Sequence, residues 1–178
     1  MKKALFLFLL PLCFASCTSS TPDTTAATNK DSVGTPPVPL PYTATYSSNF
    51  VPGKQSDVLT VLNNYKDWEI NDMKAMRTTM GDTVEMRFPG GMRVKTTLDS
   101  LMKDATKFRD SLSKVNLTLY AWTSNHSVDQ NEDWVNVWYK EVDTYKTGKI
   151  DSVNYEDDNL LKDGKIVMTS SHSQKFKK

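Results

Sequence analysis

Residues 134–168, WVNVWYKEVDTYKTGKIDSVNYEDDNLLKDGKIVM, decide the fold. They read as three consecutive antiparallel strands, over 134–142, 150–161 and from 166 onward. Thr147-Gly148 and Asp163-Gly164 lie between these β-rich runs, and glycine supplies the positive φ that tight hairpin turns require. In the first strand Trp134, Asn136 and Trp138 share one face, while Val135, Val137 and Tyr139 share the other. Both faces are largely apolar, so both need covering. Helices can cover one. A second subunit is a natural cover for the other, with the chain's own N-terminal segment as the alternative.

Working back from this stretch, residues 115–122 form another strand with the same two-sided pattern, Leu117 and Leu119 against Tyr120 and Trp122. A helix before it carries Leu98, Leu101, Met102, Ala105, Phe108 and Leu112, and Thr96-Thr97-Leu98-Asp99 resembles a capping box. Thr83 to Phe88 alternates as a strand, with Val84, Met86 and Phe88 on one side. Pro89-Gly90-Gly91 turns it into a short return, Met92-Arg93-Val94-Lys95. Further back, Ser56-Asp57 opens a helix with Val58, Leu59, Leu62, Tyr65 and Trp68 along one face. Asp72 caps a second, short helix with Met73, Met76 and Met80, and Gly81 is expected to end it.

The N-terminus has a different character. Met1-Lys2-Lys3 precedes an apolar run and then Phe14-Ala15-Ser16-Cys17, the pattern of a secretory signal over residues 1–16. The last four residues resemble a bacterial lipobox, in which Cys17 becomes the lipidated first residue; the alternative is an ordinary signal peptide. The run is too short to cross a bilayer as a helix. Thr18 follows the cysteine, and by resemblance to lipoprotein sorting signals this favours an outer-membrane lipoprotein facing the periplasm. Residues 17–46, rich in Thr, Ser and Pro, read as a disordered tether, leaving 47–178 as the folded domain. The formal charge is +1 and becomes about −1 once Lys2 and Lys3 are removed with the signal. No basic stripe is present, which argues against a nucleic-acid binder.

The order of helix, helix, hairpin, helix and four antiparallel strands carries recognisable residues. They are Trp68 with Asp72, Asp82-Thr83-Val84, Phe88-Pro89-Gly90-Gly91, Trp134-Val135-Asn136-Val137-Trp138 and Lys162-Asp163-Gly164-Lys165-Ile166. In that order they resemble the nuclear transport factor 2 superfamily, in particular its SnoaL-like branch, over roughly residues 56–176. The resemblance implies an α+β cone, a strongly bent antiparallel sheet wrapped around N-terminal helices and one long helix. It also implies an apolar interior pocket and, as in many members, a homodimer through the sheet face.

Chemistry is sparse. The ketosteroid isomerases of this superfamily carry a general-base Asp just before the Pro of the first hairpin; Phe88 stands there instead, removing the proton-abstracting group. His126 follows Ser124-Asn125 in what reads as a loop. His172 alternates with Ile166, Met168 and Ser170, and is the one weak candidate for an acid–base residue. Asp129, Asn131 and Asp133 imitate a calcium loop, but Trp134 occupies the place of its Gly and Lys140 that of its Glu. No metal site is expected, and no cofactor fingerprint appears. The positive signal is apolar: Trp68, Met76, Met86, Phe88, Met102, Tyr120 and Trp138, with His172, are the pocket candidates. Met and aromatics serve a ligand pocket and a filled core equally well. The leading reading is a lipid-anchored periplasmic binding or accessory module for a small apolar ligand or a partner protein. The alternative is a cofactor-free acid–base enzyme of dehydratase, cyclase or isomerase type on a small hydrophobic substrate.

Overall fold

The computed structural model describes residues 40–174. The signal segment, Cys17 and the tether up to residue 39 lie outside the described residues. The elements run β1 (Phe50–Pro52), α1 (Gln55–Ile70), α2 (Met73–Thr78), β2 (Met80–Arg87), β3 (Arg93–Thr97), α3 (Leu98–Arg109), β4 (Leu112–Ser127), β5 (Glu132–Tyr145), β6 (Ile150–Lys162) and β7 (Lys165–Gln174). The seven strands form one curled, unclosed sheet in the order β1-β4-β5-β6-β7-β2-β3. Every pairing is antiparallel except β2 with β7. This is the expected α+β cone.

The inward face is the valine face. Val58, Val61 and Tyr65 of α1 pack on Val135, Val137 and Tyr139 of β5, with Leu161 and Ile166 completing the cluster. Val61, Val135 and Val137 have no exposed surface, and burying each side chain contributes about 1.5–3 kcal/mol. The α1 stripe therefore runs through Val58, Val61 and Tyr65, whereas Leu59 is 59% exposed. A second cluster of Met80, Val84, Leu98 and Met102 joins α3 to β2, with Met73, Met76, Met86 and Leu101 against it.

Local chemistry sets the boundaries. Asp72 caps α2 by accepting from the Ala75 amide at 2.9 Å, and Thr97 caps α3 by accepting from the Ser100 amide at 3.3 Å. Asp163 and Gly164, at φ 53° and 70°, make the β6–β7 turn, the succession of positive φ that a two-residue hairpin loop demands.

Several expectations are corrected. Gly81 does not end α2, which stops at Thr78; it lies in β2, where a Cβ would approach Val167 Cγ1 to 3.0 Å. Met80 and Leu112 belong to strands, not helices, and Phe108 is 45% exposed. His126 lies in β4, not a loop, with Nδ1 2.8 Å from Asp133 Oδ1. The N-terminal edge strand β1 was not anticipated. Tyr46, expected as the end of the tether, is held to the domain: its carbonyl accepts from Gln130 Nε2 at 2.7 Å.

Candidate functional site in the cone interior

Inward alternation along β5 changes character as it climbs, from Val135 and Val137 through Tyr139 to Glu141 and Asp143. On β6 the residues facing them are Asn159, Asp157, Tyr155, Val153 and Asp151, by the antiparallel register. The first half of β5 is thus apolar on this face, where α1 packs on it, and the second half carries carboxyls.

Asp157 sits between the two. It is 3% exposed and its Oδ2 accepts the hydroxyls of Tyr65 at 2.7 Å and Tyr139 at 2.9 Å. Asn159 extends the network, donating to Tyr65 Oη at 3.3 Å and to the Val135 carbonyl at 3.2 Å, and accepting from Thr169 Oγ1 at 2.9 Å. Burial raises the Asp157 carboxyl, opposed by the Tyr65, Ser171 and Tyr139 hydroxyls that favour its anion. Its Oδ1 is buried without a close hydrogen bond. Burial and the Asp157 charge push both tyrosines well above the usual phenol range.

Glu141 is the most perturbed acid. Burial and the neighbouring Asp143 charge push it up to about 8, with the Trp68 indole opposing. Asp143, two residues on, shares its face; burial and Asp151 raise it, while Glu141 and Arg109 pull it down. Asp143 Oδ1 is buried and receives no N–H or hydroxyl from the chain. Each of the two carboxyls bears on the other: the Asp143 charge raises Glu141, and the Glu141 side chain lowers Asp143. Tyr155, beside them, is pushed up to about 12 by burial and by Glu141 and Asp143.

Trp68 is held over this pair from α1. Its indole stacks on Phe108 with centroids 6.1 Å apart, and the Arg109 guanidinium lies 5.9 Å from the ring centre. Among the described residues no group of three or more ligating side chains converges as a metal site.

The residues singled out from sequence scatter over this frame. Trp68 borders the carboxyl pair. Met76, Met86 and Met102 fill the second hydrophobic cluster. Phe88 follows β2 at the hairpin and is 37% exposed. Tyr120, Trp138 and His172 are on the convex face, away from the interior. Tyr120 occupies a bulge in β4 and reaches across the outside of the sheet to Asn154 Oδ1 at 3.2 Å. Trp138 alternates with the buried Val137 and Tyr139 and so points outward. His172 is outward because Val167 is an extra residue opposite the Leu160–Leu161 step. That bulge puts Ile166 and Thr169 inside, but Met168, Ser170 and His172 outside. Sequence reasoning missed Glu141, Asp143 and Asp157; parity from Val137, once its face is known, leads to the first two.

No family model matches the chain, and no curated protein matches it. Solved structures do. A putative polyketide cyclase from Xanthomonas campestris superposes with TM-score 0.53 at 16% identity, covering 66% of this chain and 90% of that one. A nuclear-transport-factor-2-like protein of unknown function from Exiguobacterium gives 0.55 at 14%, covering 65% and 98%. An LEH-like epoxide hydrolase from M. tuberculosis gives 0.57 at 8%, covering 67% and 83%. The chain has the cone fold of the nuclear transport factor 2-like proteins, as its SnoaL-like residue pattern indicated.

Proposed function

We propose that the chain is a cofactor-independent acid–base enzyme working in the cone mouth on a small, apolar, carbonyl-bearing substrate. The observation that carries this reading is the Glu141–Asp143 pair on one face of β5, in which burial and the Asp143 charge push Glu141 up to about 8, while burial raises Asp143 against the pull of Glu141 and Arg109. Two acids whose environments separate their protonation states can give and take a proton in one turnover. Asp143 removes a proton α to the carbonyl while Glu141 protonates the carbonyl oxygen, giving an enol. Return of the proton from Asp143 to another carbon, with the enol O–H proton going back to Glu141, completes an isomerisation. Departure of a β-hydroxyl as water, protonated by Asp143 as the enol O–H proton returns to Glu141, gives a dehydratase outcome. Attack of the enol carbon on a second carbonyl of the same substrate, whose oxygen takes the Asp143 proton, gives a cyclase outcome. Trp68 bonds to Glu141, and Tyr155 stacks on Tyr139, whose hydroxyl bonds to Asp157. That similar cones include an epoxide hydrolase and putative polyketide cyclases agrees with this chemistry.

The test is proton exchange. The protein is incubated in heavy water with small cyclic ketones, and α-deuteration is followed by NMR. Exchange above buffer that falls about 10²-fold in Glu141→Gln and Asp143→Asn is expected. Exchange identical in both variants and wild type would remove the assignment.

A second reading, a binding or accessory module without turnover, is favoured by the packed α1–β5 core, where Val61, Val135 and Val137 leave no exposed surface. Either activity would be carried by a lipid anchor at Cys17 on the periplasmic side of the outer membrane, a placement proposed from the N-terminal sequence. Loss of labelled palmitate incorporation in Cys17→Ala tests it.

A further inference from the structure

The opposite face of the sheet holds a cavity independent of the cone mouth. Its volume is about 400 Å³, and Tyr46, Phe50, Asn125, Trp134, Asn136 and Asp158 line it. Its chemical character is unusual for a surface hollow. Three aromatic side chains come from three separate segments: the stretch before β1, β1 itself and β5. The Tyr46 and Trp134 rings stand 6.3 Å apart with 88° between their planes, so they form two walls at a right angle.

These walls are fixed. Tyr46 Oη donates to Glu132 Oε2 and accepts from Trp134 Nε1, the latter at 3.1 Å. Such bonds reduce the ordering cost of binding. Phe50 is 47% exposed on the edge strand, giving a third ring with a free face.

The polar side of the cavity is acidic. Asn136 Nδ2 donates to Asp158 Oδ1 at 2.5 Å, while Asn136 Oδ1 accepts from Asn125 Nδ2 at 3.1 Å and Thr123 Oγ1 at 3.2 Å. This chain of amides orients the Asp158 carboxylate. Its other oxygen lies 3.8 Å from His172 Nε2, and the lining contains one carboxylate and no lysine or arginine. Perpendicular aromatic faces beside a carboxylate with no lysine or arginine in the lining attract an organic cation, because ring quadrupoles and the carboxylate act in the same direction. An anion meets Asp158, and a purely apolar ligand would have to desolvate it without compensation.

We propose that this convex-face cavity is an aromatic box for a small soluble organic cation of the trimethylammonium type. The box draws on β1, β4, β5, β6 and the stretch before β1, and would function whether or not the carboxyl pair turns over a substrate.

Choline is the probe, titrated into the full chain while the Trp134 indole N–H is followed by NMR. The control is 3,3-dimethylbutan-1-ol, the uncharged carbon isostere of choline. A saturable shift of the Trp134 signal is expected, weakened about 10-fold by Asp158→Asn and by Tyr46→Ala, with the isostere at least about 10-fold weaker than choline. The asparagine substitution keeps the shape of the side chain, and unchanged backbone amide shifts elsewhere verify the fold. Equal binding of the isostere would show a merely apolar hollow and overturn the proposal. So would an unmoved Trp134 signal, a response to phosphatidylcholine vesicles but not to free choline, or a stable dimer that shields Trp134.

Discussion

The indole Nε1 of Trp68 donates a 3.1 Å hydrogen bond to Glu141 Oε1, joining the last turns of α1 to the acidic second half of β5. An indole N–H stabilises the charged carboxylate, yet Glu141 still sits high, because burial and the Asp143 charge outweigh that one donor. The energetic consequence is a dependence of folding on pH. Glu141 moves from 4.5 to about 8 on folding, so between these values the folded chain binds more protons than the unfolded one. Stability contributed by this group is full below pH 4.5 and declines as pH rises towards 8. Glu141→Gln imitates the protonated acid at every pH. Thermal melts across this range should therefore show wild type losing ground to the variant as pH rises. Two curves running parallel would contradict a proton on Glu141.

The Asp157 network predicts a different signature. Tyr65→Phe and Tyr139→Phe each remove one donor from a carboxylate that is 3% exposed. Each should cost about 1–3 kcal/mol, since the buried acceptor is left undersatisfied. Because both hydroxyls serve the same oxygen, the double variant should depart from additivity by about 0.5–3 kcal/mol. Urea unfolding of the four proteins measures this. Simple additivity would mean that the two hydroxyls act independently, and no loss in either single variant would mean that the tyrosines contribute by packing alone.

Gly164 offers a local test. It has φ 70° and its missing Cβ faces open space, so Gly164→Val meets no steric neighbour and pays only for left-handed backbone. About 1–2 kcal/mol should be lost in denaturant unfolding. Gly164→Asn, which tolerates that conformation better, should recover part of the loss.

The turn at Asp163-Gly164 also marks the limit of what was legible. Hairpins joining β5, β6 and β7 are nearest-neighbour events, and their signals lie within a few residues of one another. The parallel pairing of Met80 with Ile166 spans most of the domain and has no local signal. Face assignment failed for a related reason. Trp134 and Val135 both read as buried, and only the packing of Val61 of α1 decides between them. The bulges at Tyr120 and Val167 then shifted strand phase by one residue, pairing Ala121 with the outward Trp138 and carrying His172 outward. Asp157 was illegible because the tyrosine hydroxyls that make its burial tolerable come from Tyr65 and Tyr139, one on a helix and one on another strand.

Arg109 provides the most direct link between fold and site. It is 5% exposed, and its Nε and a terminal nitrogen donate to the carbonyls of Trp68 at 2.9 Å and Glu69 at 3.0 Å. These lie in the last turn of α1, where carbonyls lack intrahelical partners. The guanidinium also covers the Trp68 ring and lowers the Asp143 carboxyl. Arg109→Lys preserves the charge but not the planar fork, so it cannot satisfy both carbonyls and lie over the ring at once. Three effects should follow together: a stability loss of about 1–3 kcal/mol, a weakened near-ultraviolet dichroism from Trp68, and an altered pH midpoint for the Glu141–Asp143 pair. The midpoint is read from carboxyl carbon NMR shifts. A stability loss with unchanged Trp68 dichroism and an unmoved midpoint would reduce Arg109 to a helix cap with no part in positioning the site.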